Sequence, residues 1–180
     1  MNYARSVVDV GLAPVARIFQ EASLARLPNT HVVRDREPIC HDHFLTLPAA
    51  SAHSFADLAH DAPIITPNEV ALALGLEHWL WFEKGRAEFC TSMQTEAHAH
   101  AHLLPSIAFS SDTVLALATE VRATPFGDFR AALASAATQP GTYLLFGSDV
   151  GDWFLLQPPS KILLEKRFIR RYLTARLVAR

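Results

Sequence analysis

The spacing of apolar positions changes several times along the chain, and each change marks an element. Val15, Ile18, Phe19 and Ala22 recur at helical spacing and Pro28-Asn29 closes the run, which predicts a helix over residues 14–28. Residues 30–35 and 43–48 read as strands that pair as antiparallel neighbours, with the turn Arg36-Glu37-Pro38 between them. Residues 54–58 read as a turn of helix. Thr66-Pro67-Asn68-Glu69 offers a cap, a proline at the first helical position and an acid at the third, and Gly75 soon ends the helix that this start predicts. Trp79 to Glu83 alternates as a strand, with Lys84-Gly85-Arg86 as its turn. Two more helices are predicted, from Ser111-Asp112 to about Arg122 and from Phe126 to Ala137. Residues 142–146 and 153–157 form a hairpin around a Gly147–Gly151 turn. From Pro158-Pro159-Ser160 a last helix begins, with Leu164, Phe168 and Tyr172 on one row and Ile169, Leu173 and Leu177 on the next.

Composition adds limits. With 180 residues, half of them apolar and 19% charged, the chain can bury a proper core, and it reads as one core unit over residues 1–110 with an extension over 111–180 packed on it. Two cysteines, Cys40 and Cys90, exclude a disulfide framework. No apolar run approaches the ~20 residues that cross a bilayer, and the first residues show no secretory pattern, so a cytoplasmic location is expected. Charge is distributed unevenly. The stretch Lys161–Arg180 holds seven basic residues against Glu165, or +6, so the overall −2 leaves −8 on the other 160 residues. A basic tail on an acidic body suits docking onto the body itself, an anionic ligand, or an oligomer contact. Trp79, Trp81 and Trp153 read as core or dimer contacts.

Gln94-Thr95-Glu96-Ala97-His98-Ala99-His100-Ala101-His102-Leu103-Leu104-Pro105 holds the candidate chemistry. On a strand, His98, His100 and His102 line one face at steps of roughly 6.6 Å and the alanines line the other, whereas a helix would turn His100 away from its neighbours. Such a face suits two uses. A neutral imidazole nitrogen attacks phosphorus, flanking rings donate to the phosphoryl oxygens, and the set titrates as one. Alternatively the rings share a cation, with Cys40-His41-Asp42-His43 supplying further ligand types. Spacing alone leaves phosphate chemistry and metal binding level.

Several motifs in order resemble the histidine triad (HIT) superfamily, whose signature is His-x-His-x-His followed by apolar residues and often proline. His43-Phe44-Leu45-Thr46-Leu47-Pro48 is similar to its upstream histidine strand, and residues 53–58 to the segment after it. Asp35-Arg36-Glu37-Pro38 is similar to its ribose-holding turn, and Gln94-Thr95 to its phosphate-contacting pair. Phe82-Glu83-Lys84-Gly85 resembles a Phe-Glu-His-Gly pattern of one branch, and Arg170-Arg171 an arginine pair near the end of some members. The likeness covers residues 30–105. It implies an α+β fold with an antiparallel sheet of about five strands and flanking helices, here carrying a C-terminal hairpin and helix, and usually paired as a homodimer. It also implies hydrolysis or transfer at the α-phosphate of a nucleoside phosphate anhydride or phosphoramidate through a covalent nucleotidyl-histidine. On this chain His100 would attack, His98 orient it, His102 bind the phosphoryl group and His43 stand as a fourth ring. Asp35, Gln94 and Thr95 would bind the nucleotide, in a substrate such as a dinucleoside polyphosphate or nucleoside phosphoramidate. No cofactor is required on this reading, beyond a divalent cation accompanying the substrate, and neither membrane nor nucleic acid is expected as a partner. The competing class is a nucleotide- or metal-binding regulatory protein that keeps the triad without turnover.

Overall fold

A computed structural model of the chain describes residues 22–50, 52–59, 64–87, 98–105, 111–158, 160–165 and 167–178. The fold is α+β. In chain order the strands are β1 (Thr30–Arg34), β2 (Phe44–Pro48), β3 (Trp79–Gly85), β4 (Ala101–Pro105), β5 (Thr124–Phe126), β6 (Tyr143–Ser148) and β7 (Trp153–Leu156). The helices are α1 (Phe55–Leu58), α2 (Pro67–Leu74), α3 (Ser111–Val121), α4 (Phe129–Thr138) and α5 (Phe168–Val178).

Among the described residues the strands form one sheet of seven, in the order β1-β2-β4-β3-β6-β7-β5 with every neighbouring pair antiparallel. Seven replaces the expected five or so because the C-terminal hairpin belongs to this sheet. β6 pairs with β3 over six residues, from Leu80↔Ser148 to Gly85↔Tyr143, so β3 is not left as an unpaired edge. The seventh strand, β5, lies where a helix start was expected. Its central Pro125 cannot donate to a ladder, which confines β5 to the edge, beside β7. α4 then starts at Phe129, capped by the Asp128 carboxylate accepting from Ala131 N–H at 2.8 Å.

Period-two alternation separates two cores. Phe44, Ala101, Leu103, Trp79, Trp81, Tyr143, Leu145, Trp153 and Leu155 meet α1, α2 and α4 on one face. Leu80, Phe82, Leu104, Leu144, Phe146, Phe154 and Leu156 meet α3 and α5 on the other. Each fully buried large apolar side chain contributes about 1.5–3 kcal/mol, so both layers of helix are held by their inner rows. In α5 that row is Ile169 and Leu173, four apart. The three tryptophans are buried, all in the first core.

Two further expectations change. Of the helix expected over 14–28, residues 14–21 lie outside the described residues, and the described remainder, 22–28, is not helical. Ser23 Oγ accepts from Val32 N–H, Leu24 N–H donates to Val32 O at 2.8 Å, and Leu27 bridges Thr30, so this stretch lies along β1. The last helix begins only at Phe168: Lys161–Leu164 is a 3₁₀ turn, and Arg167 at φ 59° breaks the path between the two. No helix among the described residues is long and apolar enough to cross a membrane.

Candidate functional site

β4 enters the ladder at Ala101, where Thr46↔Ala101, Leu45↔His102 and Phe82↔His102 set its register; residues 98–100 lead into it outside the ladder. The alternation places Ala99 and Ala101 in the core beside the Trp81 layer. His102 falls on the opposite face, its ring stacked on Phe82 with centroids 4.3 Å apart.

His98 is buried, with Nε2 3.2 Å from Pro48 O, so that nitrogen donates. The half-buried His100 has Nδ1 3.0 Å from the carbonyl of His98. A carbonyl only accepts, so Nδ1 carries the proton and, in the neutral ring, the lone pair sits on Nε2. The His100 and His102 rings meet edge to face at 5.2 Å.

His43 and His102 form a second unit. Ile39 N–H donates to His43 Nδ1 at 3.1 Å, which leaves the proton of a neutral His43 on Nε2. That nitrogen lies 2.9 Å from His102 Nδ1 and donates to it, so the proton of neutral His102 sits on Nε2. Burial, then the neighbouring His102, pushes His43 down to about 2, with Arg170 adding to the effect and Asp35 opposing it. Burial, then Arg170 and His100, holds His102 well below the ordinary histidine range. Both rings are therefore neutral at physiological pH.

Asp35 follows β1 and extends its pairing by one bond, Asp35 N–H to His43 O at 2.8 Å. Its Oδ1 accepts from Glu37 N–H at 2.8 Å, the turn that Asp-x-x-Pro spacing anticipates. Its Oδ2 pairs with the Arg170 guanidinium and lies 3.5 Å from both His43 Nε2 and His102 Nδ1. Arg170 also donates to Glu37 O.

Asp35, His43, His98, His100 and His102 thus lie within one connected region, while Gln94 and Thr95 lie outside the described residues. Arg170 joins the group from α5, and Arg171 pairs with Glu165 on the surface. Spacing does not identify Ile39, Phe82 or Glu83 as parts of this surround; only the Phe82-Glu83-Lys84-Gly85 motif marks the last two.

Among the described residues one set of potential metal ligands converges: Asp35, His43 and His102 offer atoms within 4.8 Å of one another. Its chemistry opposes a cation, because Ile39 N–H keeps the proton on the His43 nitrogen that would have to coordinate, and Arg170 already holds the Asp35 oxygen. Residues 40–43 do not gather into a ligand set either. Burial pushes the Cys40 thiol up to about 11, and Asp42 is shared between Arg34 and the exposed His41, whose Nδ1 lies 2.9 Å from its carboxylate. Comparison of the chain with protein-family models and with curated proteins gives no match in either.

Proposed function

We propose that the protein is a nucleotide hydrolase or nucleotidyl transferase of the histidine triad kind, acting at the α-phosphate of a nucleoside phosphate anhydride or phosphoramidate. The observation that carries this reading is the 3.0 Å contact between His100 Nδ1 and His98 O, which sets the tautomer a nucleophile needs. His100 Nε2 donates its electron pair to the α-phosphorus, a P–N bond forms, and the P–O or P–N bond to the leaving group breaks with its electron pair. Water then attacks the same phosphorus, the bond to His100 breaks, and a nucleoside monophosphate leaves; an acceptor other than water gives transfer. His98 orients the ring through its carbonyl. His102, with its proton on Nε2, is the donor suited to a phosphoryl oxygen, and the chain from Ile39 N–H through His43 keeps that proton there. A homodimer, and a divalent cation bound to the substrate's phosphates, accompany this reading.

The test is turnover of dinucleoside polyphosphates and nucleoside phosphoramidates with an alkaline denaturing quench that traps a labelled nucleotidyl-histidine. The label is expected on His100, and His100→Asn should lower kcat by more than ~10³-fold while nucleotide still binds. Substantial turnover by that variant sinks the assignment.

Recovery of an intact dinucleotide after prolonged incubation with a protein that binds it would instead support a regulatory protein that keeps the triad without turnover.

A further inference from the structure

Glu83 lies on β3 and its side chain is almost wholly buried, at 1% exposure. Each of its two oxygens accepts a hydrogen bond. Oε1 accepts from Phe55 N–H at 2.8 Å and Oε2 from Tyr143 Oη–H at 2.8 Å, while Tyr143 Oη accepts from Ala56 N–H at 3.2 Å. Glu83 and Tyr143 together thus hold the first two N–H groups of α1, which would otherwise be buried unpaired.

The segment that Glu83 anchors reaches the histidines directly. Just before α1, Ala52 O accepts from Ala99 N–H at 2.7 Å and His53 O accepts from Arg86 N–H at 3.1 Å. Ala99 N–H belongs to the peptide whose carbonyl is His98 O, the acceptor that fixes His100. With His98 Nε2 tied to Pro48 O, that peptide is pinned from two sides. Charge runs the same way. Burial pushes the Glu83 carboxyl up to about 7 while hydrogen bonds from Phe55 and Tyr143 pull it down; His100 also lowers it and Asp57 raises it. Glu83 and His100 therefore influence each other's ionisation although no hydrogen bond joins them.

We propose that Glu83 is a positioning residue for His100: its buried carboxylate holds residues 52–56 against the His98–His100 peptide and supplies the negative charge that the His100 ring feels. The proposal rests on reading His100 as the nucleophile, whose ring carries positive charge once bonded to phosphorus. A fixed anion nearby stabilises that charge without reorganisation. The groups that face Glu83 are Tyr143 from β6, Asp57 and the N–H groups of α1, and His100.

The test tracks the His100 ring by NMR on ¹⁵N-histidine-labelled protein from pH 5 to 9, with assignment by His100→Asn. In the wild type the His100 signals should show a second inflection near pH 7 as Glu83 ionises. In Glu83→Gln, which keeps the shape and loses the charge, that inflection should vanish and the His100 midpoint should fall by about half a unit, with Glu83→Asp restoring the direction. The surface ring of His41 should not move. A single inflection in the wild type, or an unchanged His100 midpoint in a folded Glu83→Gln, overturns the proposal; the wild-type arm decides if the variants fail to fold. None of this needs turnover, so failure of the nucleophile reading shows separately in His100→Asn. Where turnover is present, Glu83→Gln should lower kcat about 10-fold and leave KM near its original value.

Discussion

Four buried groups of the site are held away from their ordinary protonation, in opposite senses: burial lowers His43, His98 and His102 and raises Glu83. His43 and His102 stay neutral in the native state, yet in the unfolded chain they take up protons near pH 6.5, so acid favours unfolding. Glu83 does the reverse. Its carboxyl titrates at about 7 in the fold against 4.5 unfolded, so between those values the native state holds the extra proton and stability falls as pH rises. Between about pH 6.5 and 4.5 the rings take up more protons on unfolding than the one carboxyl releases, so stability should drop on acidification. Glu83→Gln removes the opposing proton, so its stability should fall more steeply than the wild type's, by ~1.4 kcal/mol per pH unit. Urea unfolding of both proteins at pH 6.5, 6.0 and 5.5 checks this, and parallel lines would refute the buried-carboxyl account. At this scale the sequence shows the alternation that puts Ala99 and Ala101 inward and His102 outward. It does not show the tautomers, because Ile39 N–H and His98 O are backbone groups whose direction depends on the folded path.

Legibility of an element depends on how local its cause is. α2 is readable since its capping box is complete within four residues: Thr66 Oγ1 accepts from Glu69 N–H, Glu69 accepts from Thr66 N–H at 2.7 Å, and Gly75 closes it at φ 70°. β5 is not, since the strand it pairs with, β7, comes about thirty residues later. Gly85 shows the same contrast. It reads as a turn residue beside Lys84 and Arg86, yet it is the last residue of β3, and its lack of a side chain serves Tyr143. A Cβ at Gly85 would stand 2.2 Å from the Tyr143 ring, which is 1% exposed and bonded to Glu83 and Ala56. Gly85→Ala should therefore cost about 1–3 kcal/mol, because the ring must move and strip hydrogen bonds from Glu83 and α1. Tyr143→Phe added to Gly85→Ala should recover little, since the phenyl ring occupies the same space. Chemical denaturation measures both, and a Gly85→Ala protein as stable as the parent would contradict the packing described.

Across the whole molecule the site is closed by an ion pair between residues 135 positions apart, Arg170 of α5 and Asp35 beyond β1. Both side chains are largely withdrawn from water, at 12% and 2% exposure. No local pattern announces such a pair; the basic tail on an acidic body suits docking, an anionic ligand or an oligomer contact alike. What decides its place is the sheet. His102, Phe82 and Leu104 share the face that α3 and α5 cover, so Ile169 and Leu173 seat α5 there and bring Arg170 to Asp35. A buried pair contributes little net stability compared with an apolar replacement, while removing one member strands the other. Arg170→Met should therefore cost about 3–5 kcal/mol, because it leaves the Asp35 carboxylate buried with only the Glu37 N–H and two neutral imidazoles around it. Asp35→Asn should cost less, since Arg170 keeps the Glu37 carbonyl and some access to water. The double variant should be clearly more stable than the two single losses added together, by ~2 kcal/mol or more, because no charge is then left stranded. Simple additivity in that cycle would mean that the apolar row of α5, with Ile169 and Leu173 at its centre, holds the helix in place without help from the ion pair.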